Sequence, residues 1–188
     1  MKKVISSVHV SLDGFVAGPK GEMNWITLSE EIFDYVAELL QPIDTALYGR
    51  VTFEMMENYW PTAADAPDAS KHDREHSRWY AKAKKIVLSE SLRGKSFANT
   101  TIISGGVADE IKKAKQADGS DIVIFGSPRA THSLMKEDLV DGYWLFVNPV
   151  ILGSGIPLFA EIEGRTQLTL VESKKFSSGV VALQFVRK

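Results

Sequence analysis

Two stretches of this chain put a glycine, a hydroxyl residue and an arginine where a strand runs into a helix. One is Tyr48-Gly49-Arg50-Val51-Thr52-Phe53-Glu54; the other is Gly126-Ser127-Pro128-Arg129-Ala130-Thr131, which follows the apolar run Ile122 to Phe125. A glycine at a strand end lets the backbone approach a ligand closely. The N–H groups of the first helical turn and the positive end of the helix dipole then attract an anion. Pro128 suits a first turn, and Ser127 can cap it or donate to an oxygen. The Arg50 guanidinium can fork onto a phosphate, and Arg129 adds a second cation. Each stretch alone also reads as an ordinary strand-to-helix turn, with Arg50 paired to Glu54 four residues on. Neither is a GxGxxG or P-loop motif. Two such turns in one α/β chain point to a single dinucleotide spanning several strand ends.

Other residues could complete a site. Asp13-Gly14-Phe15-Val16-Ala17-Gly18, with Asn24-Trp25 beyond it, is a glycine-flanked loop after the first strand. It can fold over a cleft, and Val16-Ala17 suits packing against a flat ring; a long connector is the plain alternative. Glu30 stands in the first turn of an amphipathic helix, beside its apolar stripe near Phe33 and Ala37. It can bind an N–H pair of a heterocycle at a cleft edge, or simply offset the helix dipole. His72 and His76 have the i, i+4 spacing of metal ligands, but they lie in a lysine-rich segment with no third ligand in sequence, which reads as a solvated helix face. His9 in a strand and His132 in a helix have no sequence-adjacent partner. No GxSxG nucleophile elbow occurs, and Gly153-Ser154-Gly155 reads as a turn.

The elements that must position these residues follow from periodicity. Lys3 to Val10 is a buried strand with Val4, Val8 and Val10 on one face. Ser29 to Leu40 is a helix whose apolar residues Ile32, Phe33, Val36, Leu39 and Leu40 share a face, with Thr27 or Ser29 as N-cap. Thr45 to Tyr48, Lys85 to Leu88 and Thr101 to Ile103 read as strands. Val51 to Glu57, Lys71 to Lys82 and Ala108 to Ala117 read as helices, and Pro61 to Ser70 as a surface loop. Gln167 to Val171 and Val180 to Val186 form a hairpin or near-hairpin through Ser177-Ser178-Gly179. Strands alternating with helices and then an antiparallel pair predict an α/β domain with a mostly parallel sheet.

Composition removes several classes of function. A net charge of −2 gives no reason to expect nucleic-acid or membrane binding. No cysteine is present, which excludes disulfides, thiolate metal sites and a cysteine nucleophile. The first residues lack a continuous apolar region, so no signal peptide is expected, and no window is apolar enough to cross a membrane. A cytoplasmic protein of one domain, residues 1–188, is the expectation.

Read in order, the segments Ser11-Leu12-Asp13-Gly14-Phe15-Val16-Ala17, Met23-Asn24-Trp25, Gly49 to Glu54, Val87-Leu88-Ser89, Phe125-Gly126-Ser127, Leu139-Val140-Asp141 and Pro149 to Phe159 resemble the dihydrofolate reductase-like superfamily. Within it they are most similar to the branch related to the reductase domain of riboflavin biosynthesis. The resemblance implies an eight-stranded, mostly parallel sheet with an antiparallel C-terminal hairpin and helices on both faces. It implies NADPH as hydride donor (NADH is not excluded) and a small heterocyclic substrate between the first strand, its loop and the first helix. Carried over by position, Gly49, Arg50 and Thr52 bind the adenosine and phosphate side, with Ser89 a further cofactor contact. Gly126, Ser127, Arg129 and Ala130 hold the pyrophosphate, and Val16 and Ala17 line the nicotinamide. Asp13, Trp25 and Phe33 fall on the substrate side, Glu30 is the candidate catalytic carboxylate, and no metal is implied. The implied activity is similar to 5-amino-6-(5-phosphoribosylamino)uracil reductase; dihydrofolate reductase proper and a non-catalytic nucleotide-binding homodimer are the alternatives.

Three positions depart from the family pattern. Dihydrofolate reductases carry a first-helix carboxylate four residues before a pocket Phe, where Ser29 stands relative to Phe33, whereas counting forward from Trp25 reaches Glu30. Glu90 occupies the place of a second serine found in many NADPH users. Gly142 stands where the riboflavin-type reductases usually carry Glu.

Overall fold

Alternation along the central strands decides which helices cover which face. The computed structural model describes residues 1–160, 162 and 164–188. In chain order the elements are β1 (Val4–Ser11), β2 (Phe15–Ala17), α1 (Glu30–Leu40), β3 (Thr45–Gly49), α2 (Arg50–Ala63), α3 (Lys71–Lys82), β4 (Lys84–Leu88), β5 (Thr100–Ile103), α4 (Val107–Gln116), β6 (Ile122–Phe125), α5 (Pro128–Lys136), β7 (Gly142–Asn148), β8 (Ile156–Pro157), β9 (Leu168–Lys175) and β10 (Val181–Arg187). Val4, Val8, Leu47, Ile122 and Ile124 point to one face, where Ile111 of α4 and Leu134 of α5 cover them. Ile5 and Val123 point to the other, under Leu40 of α1, as do Ala46, Tyr48 and Val87 under Phe53 of α2 and Tyr80 of α3. Both faces are covered, which is why β3 and β6 are almost wholly apolar.

The eight strands of the main sheet run β5-β4-β3-β6-β1-β7-β10-β9. All neighbours are parallel except the two pairings of β10, which are antiparallel. This is the mostly parallel sheet with a C-terminal hairpin that the sequence implies. Its most useful feature lies between β3 and β6. The chain leaves β3 into α2 on one face and leaves β6 into α5 on the other. Where connections part in this way the strand ends splay and a crevice opens at their carboxyl ends. Pairing of β3 with β6 stops at Leu47–Ile124, and pairing of β1 with β6 stops at Ser7–Phe125.

Several expectations need correction. α2 does not end at Glu57 but runs through Pro61 to Ala63. Pro61 lies in the last turn, where it removes one hydrogen bond, while Met56 and Trp60 keep the helix packed on the α2–α3 core. β9 reaches Lys175, past the expected Val171, because pairing with β10 continues through Glu172 and Lys174 despite their polarity. β2 and β8 form a small two-stranded sheet that their short runs do not announce. At Gly155 a Cβ would run into the Ala17 carbonyl, so only glycine lets the Gly153–Gly155 turn seat against β2. Gly142 has a comparable reason: a Cβ there would stand 2.7 Å from the Phe185 carbonyl oxygen of β10.

Candidate active site

The two strand-to-helix turns meet at the crevice. A Cβ on Gly49 would lie 3.7 Å from Ala130 Cβ and 3.8 Å from Ser127 Cβ, and one on Gly126 would lie 4.0 Å from Thr52 Cγ2 and touch nothing else within 4 Å. Gly49, Thr52, Gly126, Ser127 and Ala130, all expected on the cofactor side, therefore converge. The Gly49 N–H donates to Ser127 Oγ at 3.0 Å and ties the turns together. The Gly126 N–H donates to the Ser7 carbonyl at 3.0 Å, the last bond between β6 and β1. Gly126 and Ser127 have φ of 52° and 47°, two consecutive left-handed residues. For a serine that conformation costs on the order of 1–2 kcal/mol, and such outliers concentrate at functional sites. The turn aims the start of α5 at the space facing the start of α2. Helix geometry leaves the N–H groups of Arg50, Val51 and Thr52, and of Arg129 and Ala130, without intrahelical acceptors. Arg50 is ion-paired to Glu54 at 2.6 Å and half-exposed; Arg129 is exposed.

Ser89 lies beyond β4, on the Arg50 side of the crevice. Its Oγ accepts from the Leu92 N–H at 3.2 Å and is 3.2 Å from Ser91 Oγ, so it shapes a turn whose hydroxyls lie at the rim, beside the exposed Glu90. Val16 and Ala17 are buried, and Val16 packs into the core on the α5 side. Asp13 is committed to the loop itself. Its carboxylate accepts from Ser11 Oγ at 2.7 Å, from the Leu152 N–H at 3.1 Å and from the Gly153 N–H at 2.7 Å, and these bonds hold it below the usual carboxylate range. Trp25 likewise spends its indole N–H on the Glu22 carbonyl at 3.0 Å. The structure thus gives the Asp13 carboxylate and the Trp25 indole N–H loop-closing bonds.

The opposite face of β1 looks toward α1. Ser7 and His9 point toward α1 with Ile5, Ser7 pairing in register with Phe125 and Trp144 and His9 with Phe146. Phe33 stacks flat on His72, with ring centroids 3.9 Å apart and planes 6° apart. His76 lies 4.1 Å from Trp60 and 6.3 Å from Phe125, centroid to centroid. His72 and His76, 5.4 Å apart, are thus parts of an aromatic wall between α1, α2 and α3 rather than a solvated face. Among the described residues no three His, Asp or Glu side chains are placed to share an ion. Glu30 is exposed at the start of α1; its neighbour Glu31 binds Ser177 through the backbone N–H at 2.9 Å and the hydroxyl at 2.8 Å. Sequence reasoning missed His9. Its Nδ1 lies 3.2 Å from the Asn148 amide nitrogen, 139 positions away, and its ring stacks on Phe146 at 5.0 Å.

Burial lowers the pKa of His9 from 6.5 to about 4 and that of His76 from 6.5 to about 3. Unfolded, each returns to about 6.5, so between pH 6.5 and about 4 the unfolded chain binds more protons than the folded one. Stability therefore falls as pH drops through that window, by about 1.4 kcal/mol per pH unit for each histidine. The loss from His9 levels off below about 4. Asp13, Glu31 and Asp73, whose pKa values are lowered, add their losses as pH falls through their unfolded values of 3.8, 4.5 and 3.8. Urea unfolding at pH 7, 6 and 5 is expected to show this loss, and His76→Gln is expected to reduce the slope by close to one proton. Equal stability at pH 7 and 5 would contradict the neutral, buried state of both rings.

Residues 2–182 match the family model described as the RibD C-terminal domain. The chain is 33% identical over 187 residues to the uncharacterized protein YyaP of Bacillus subtilis (strain 168), covering 98% of this chain and 94% of that one. It is 31% identical to the uncharacterized protein YwjB of the same organism, covering 99% and 98%. Among solved structures it superposes on a putative riboflavin biosynthesis protein from Shewanella sp. PV-4 with a TM-score of 0.74 at 21% identity, over 99% of each chain. It also superposes on a diaminohydroxyphosphoribosylaminopyrimidine deaminase/5-amino-6-(5-phosphoribosylamino)uracil reductase from Thermotoga maritima, with a TM-score of 0.67 at 16% identity. That match covers 100% of this chain and 57% of that longer one. These likenesses establish the fold. No helix among the described residues is long and apolar enough to cross a membrane.

Proposed function

The chain belongs to the RibD C-terminal domain family, and from that premise we propose that it is an NADPH-dependent reductase of a small heterocyclic substrate. The reaction is hydride transfer to a C=N or C=O bond, similar to the reduction of 5-amino-6-(5-phosphoribosylamino)uracil named for the Thermotoga maritima relative. The observation that carries the reading is the seat between α2 and α5. Two helix starts face each other across splayed strands, Gly49 is tied to Ser127 at 3.0 Å, and the Cβ-free Gly126 opens onto the space between them. That donor set fits a pyrophosphate. When bound, the reduced nicotinamide supplies the hydride.

The chain's own residues orient and exclude. Orphan N–H groups of both helices and the Arg129 side chain hold the phosphates, with Arg50 and Ser89 toward the adenosine end. β1 offers the next contact. The Lys3 and Ser7 carbonyls accept from Ile122 and Gly126 on the β6 side. Strand alternation turns the N–H and C=O of His9 to that same edge, beyond the end of β6. A flat carboxamide can pair there, which brings the nicotinamide ring against the loop of Val16 and Ala17. The loop, pinned by Asp13, keeps water from that side. The proton that accompanies the hydride comes from solvent, and we assign its relay to Glu30, exposed at the start of α1. Dihydrofolate is the weaker substrate, because Glu30 is not held on the cleft floor to bind a pterin N–H pair. We take the 188 residues to act as one reductase domain in the cytoplasm.

The test is NADPH oxidation with 5-amino-6-(5-phosphoribosylamino)uracil, with NADH and with dihydrofolate as comparisons. Turnover dependent on the pyrimidine, and faster with NADPH, is expected. Cofactor oxidation with none of these substrates would favour the non-catalytic alternative.

A further inference from the structure

We propose that His9 binds the substrate directly, its Nε2–H donating a hydrogen bond to an acceptor atom, a carbonyl oxygen or a ring nitrogen with a free lone pair, on the edge of the heterocycle. The proposal rests on the reductase reading above and names the chemistry by which that cleft selects its ligand.

The tautomer follows from partners that leave no choice. Asn148 is fully buried. Its Oδ1 takes the Thr27 backbone N–H at 2.9 Å, and an N–H can only donate. Its Nδ2 lies 2.9 Å from the Phe146 carbonyl, which can only accept. The amide orientation is therefore fixed by backbone groups at both ends. The remaining Asn148 N–H meets His9 Nδ1 at 3.2 Å. Nδ1 must accept it, and the ring proton sits on Nε2. Protonating Nδ1 would set two donors face to face, which acts in the same direction as the burial that keeps the ring neutral.

Nε2–H has no protein partner among the described residues. It is not a sealed interior group either: among the described residues the buried side-chain atoms left without a partner are Ser77 Oγ and Ser178 Oγ. Nε2 thus reaches solvent. Ser7, two residues earlier on the same face of β1, presents an Oγ that is also unpartnered and open among the described residues. The two polar groups lie between Phe125 of β6 and Trp144 and Phe146 of β7. An aromatic floor with one fixed donor and one rotating hydroxyl suits a flat heterocycle that turns a carbonyl or bare ring nitrogen toward β1. An N–H edge meets donor against donor and is rejected. The sequence neighbourhood of His9 shows none of this, because the residue that sets its tautomer is on β7.

Imidazole-labelled protein tests the proposal in three steps. In the free protein, long-range ¹H–¹⁵N spectra are expected to show a bare, pyridine-type Nδ1 and a protonated Nε2 on His9 at pH 7; the opposite tautomer overturns the assignment. Adding NADPH is expected to shift the backbone amides of Gly126 and Ser127, and their failure to respond counts against the reductase reading rather than against the His9 tautomer. Adding 5-amino-6-(5-phosphoribosylamino)uracil to the NADPH-loaded protein is expected to move the His9 Hε2 resonance downfield. An unmoved Hε2 in that sample, whether or not the pyrimidine binds, overturns the proposal. His9→Phe keeps the stacking ring and is expected to lose about tenfold or more in pyrimidine affinity, measured against wild type with both proteins saturated with NADPH. His9→Gln, which restores a donor, is expected to recover part of that loss. Equal pyrimidine affinity in wild type and His9→Phe also overturns it.

Discussion

Asp141→Ala is expected to lower the unfolding free energy by about 3 kcal/mol. Asp141 precedes β7 and holds three elements together. Both of its carboxylate oxygens bind the Lys115 ammonium at the end of α4, at 2.6 and 2.9 Å, and Oδ2 also accepts the Val4 N–H of β1 at 2.7 Å. Lys115 is only 6% exposed, so removing the carboxylate leaves an ammonium buried without its counter-charge and a strand N–H without its acceptor. Breaking one side of such a pair costs far more than the pair contributes net, and the partial exposure of Asp141 keeps the figure at the low end of the range. The double variant Asp141→Ala/Lys115→Met removes the stranded charge and is expected to recover much of the loss. Urea unfolding of the single and double variants checks this. A loss below about 1 kcal/mol in the single variant would put the pair among ordinary surface bridges.

The second large effect concerns ligand affinity. Gly126→Asp is expected to weaken NADPH binding by about a hundredfold, since like charges set together at a binding seat cost several kcal/mol. Aspartate is among the side chains that tolerate a φ of 52°, and a Cβ at Gly126 would meet only Thr52 Cγ2, at 4.0 Å. The fold is therefore spared while a carboxylate enters the space proposed for phosphate. Gly126→Asn introduces the same shape without the charge and is expected to lose much less. Calorimetric titration of the three proteins, with thermal unfolding as a control on folding, separates charge from bulk. Wild-type affinity in Gly126→Asp would remove the phosphates from this turn.

Much of this arrangement was legible along the chain. The observed α3, Lys71–Lys82, matches the span expected from the sequence, and the structure adds the Ser70–Asp73 capping box that opens it. Gly49 and Gly126 announce themselves as strand-to-helix turns through local chemistry alone. What joins them is the sheet order, which sets β3 beside β6 although 78 residues separate Gly49 from Ser127. No periodicity reports such a neighbour. Pro61 misled because its local effect, one lost hydrogen bond, was outweighed by the packing of Trp60. His72 and His76 misled because their polar flanks hid the aromatic rings that α1 and α2 bring against them. His9 was illegible because its tautomer is set by Asn148, and strand pairing rather than sequence brings the two together. At the level of family, the ordered segments carried the information that composition and spacing lacked.

The central claim is that the paired helix starts at Gly49 and Gly126 seat a nicotinamide dinucleotide. Titration of the wild-type protein with NADPH, followed residue by residue through backbone amide resonances, tests it most directly. The predicted result is one saturable response centred on Arg50, Thr52, Gly126, Ser127 and Ala130, with His9 at its far end. A groove of about 800 Å³ lined by Tyr143, Phe159, Leu168 and Arg187 lies elsewhere on the protein. No saturable response, or one confined to those residues while Gly126 and Ser127 stay still, would contradict the account.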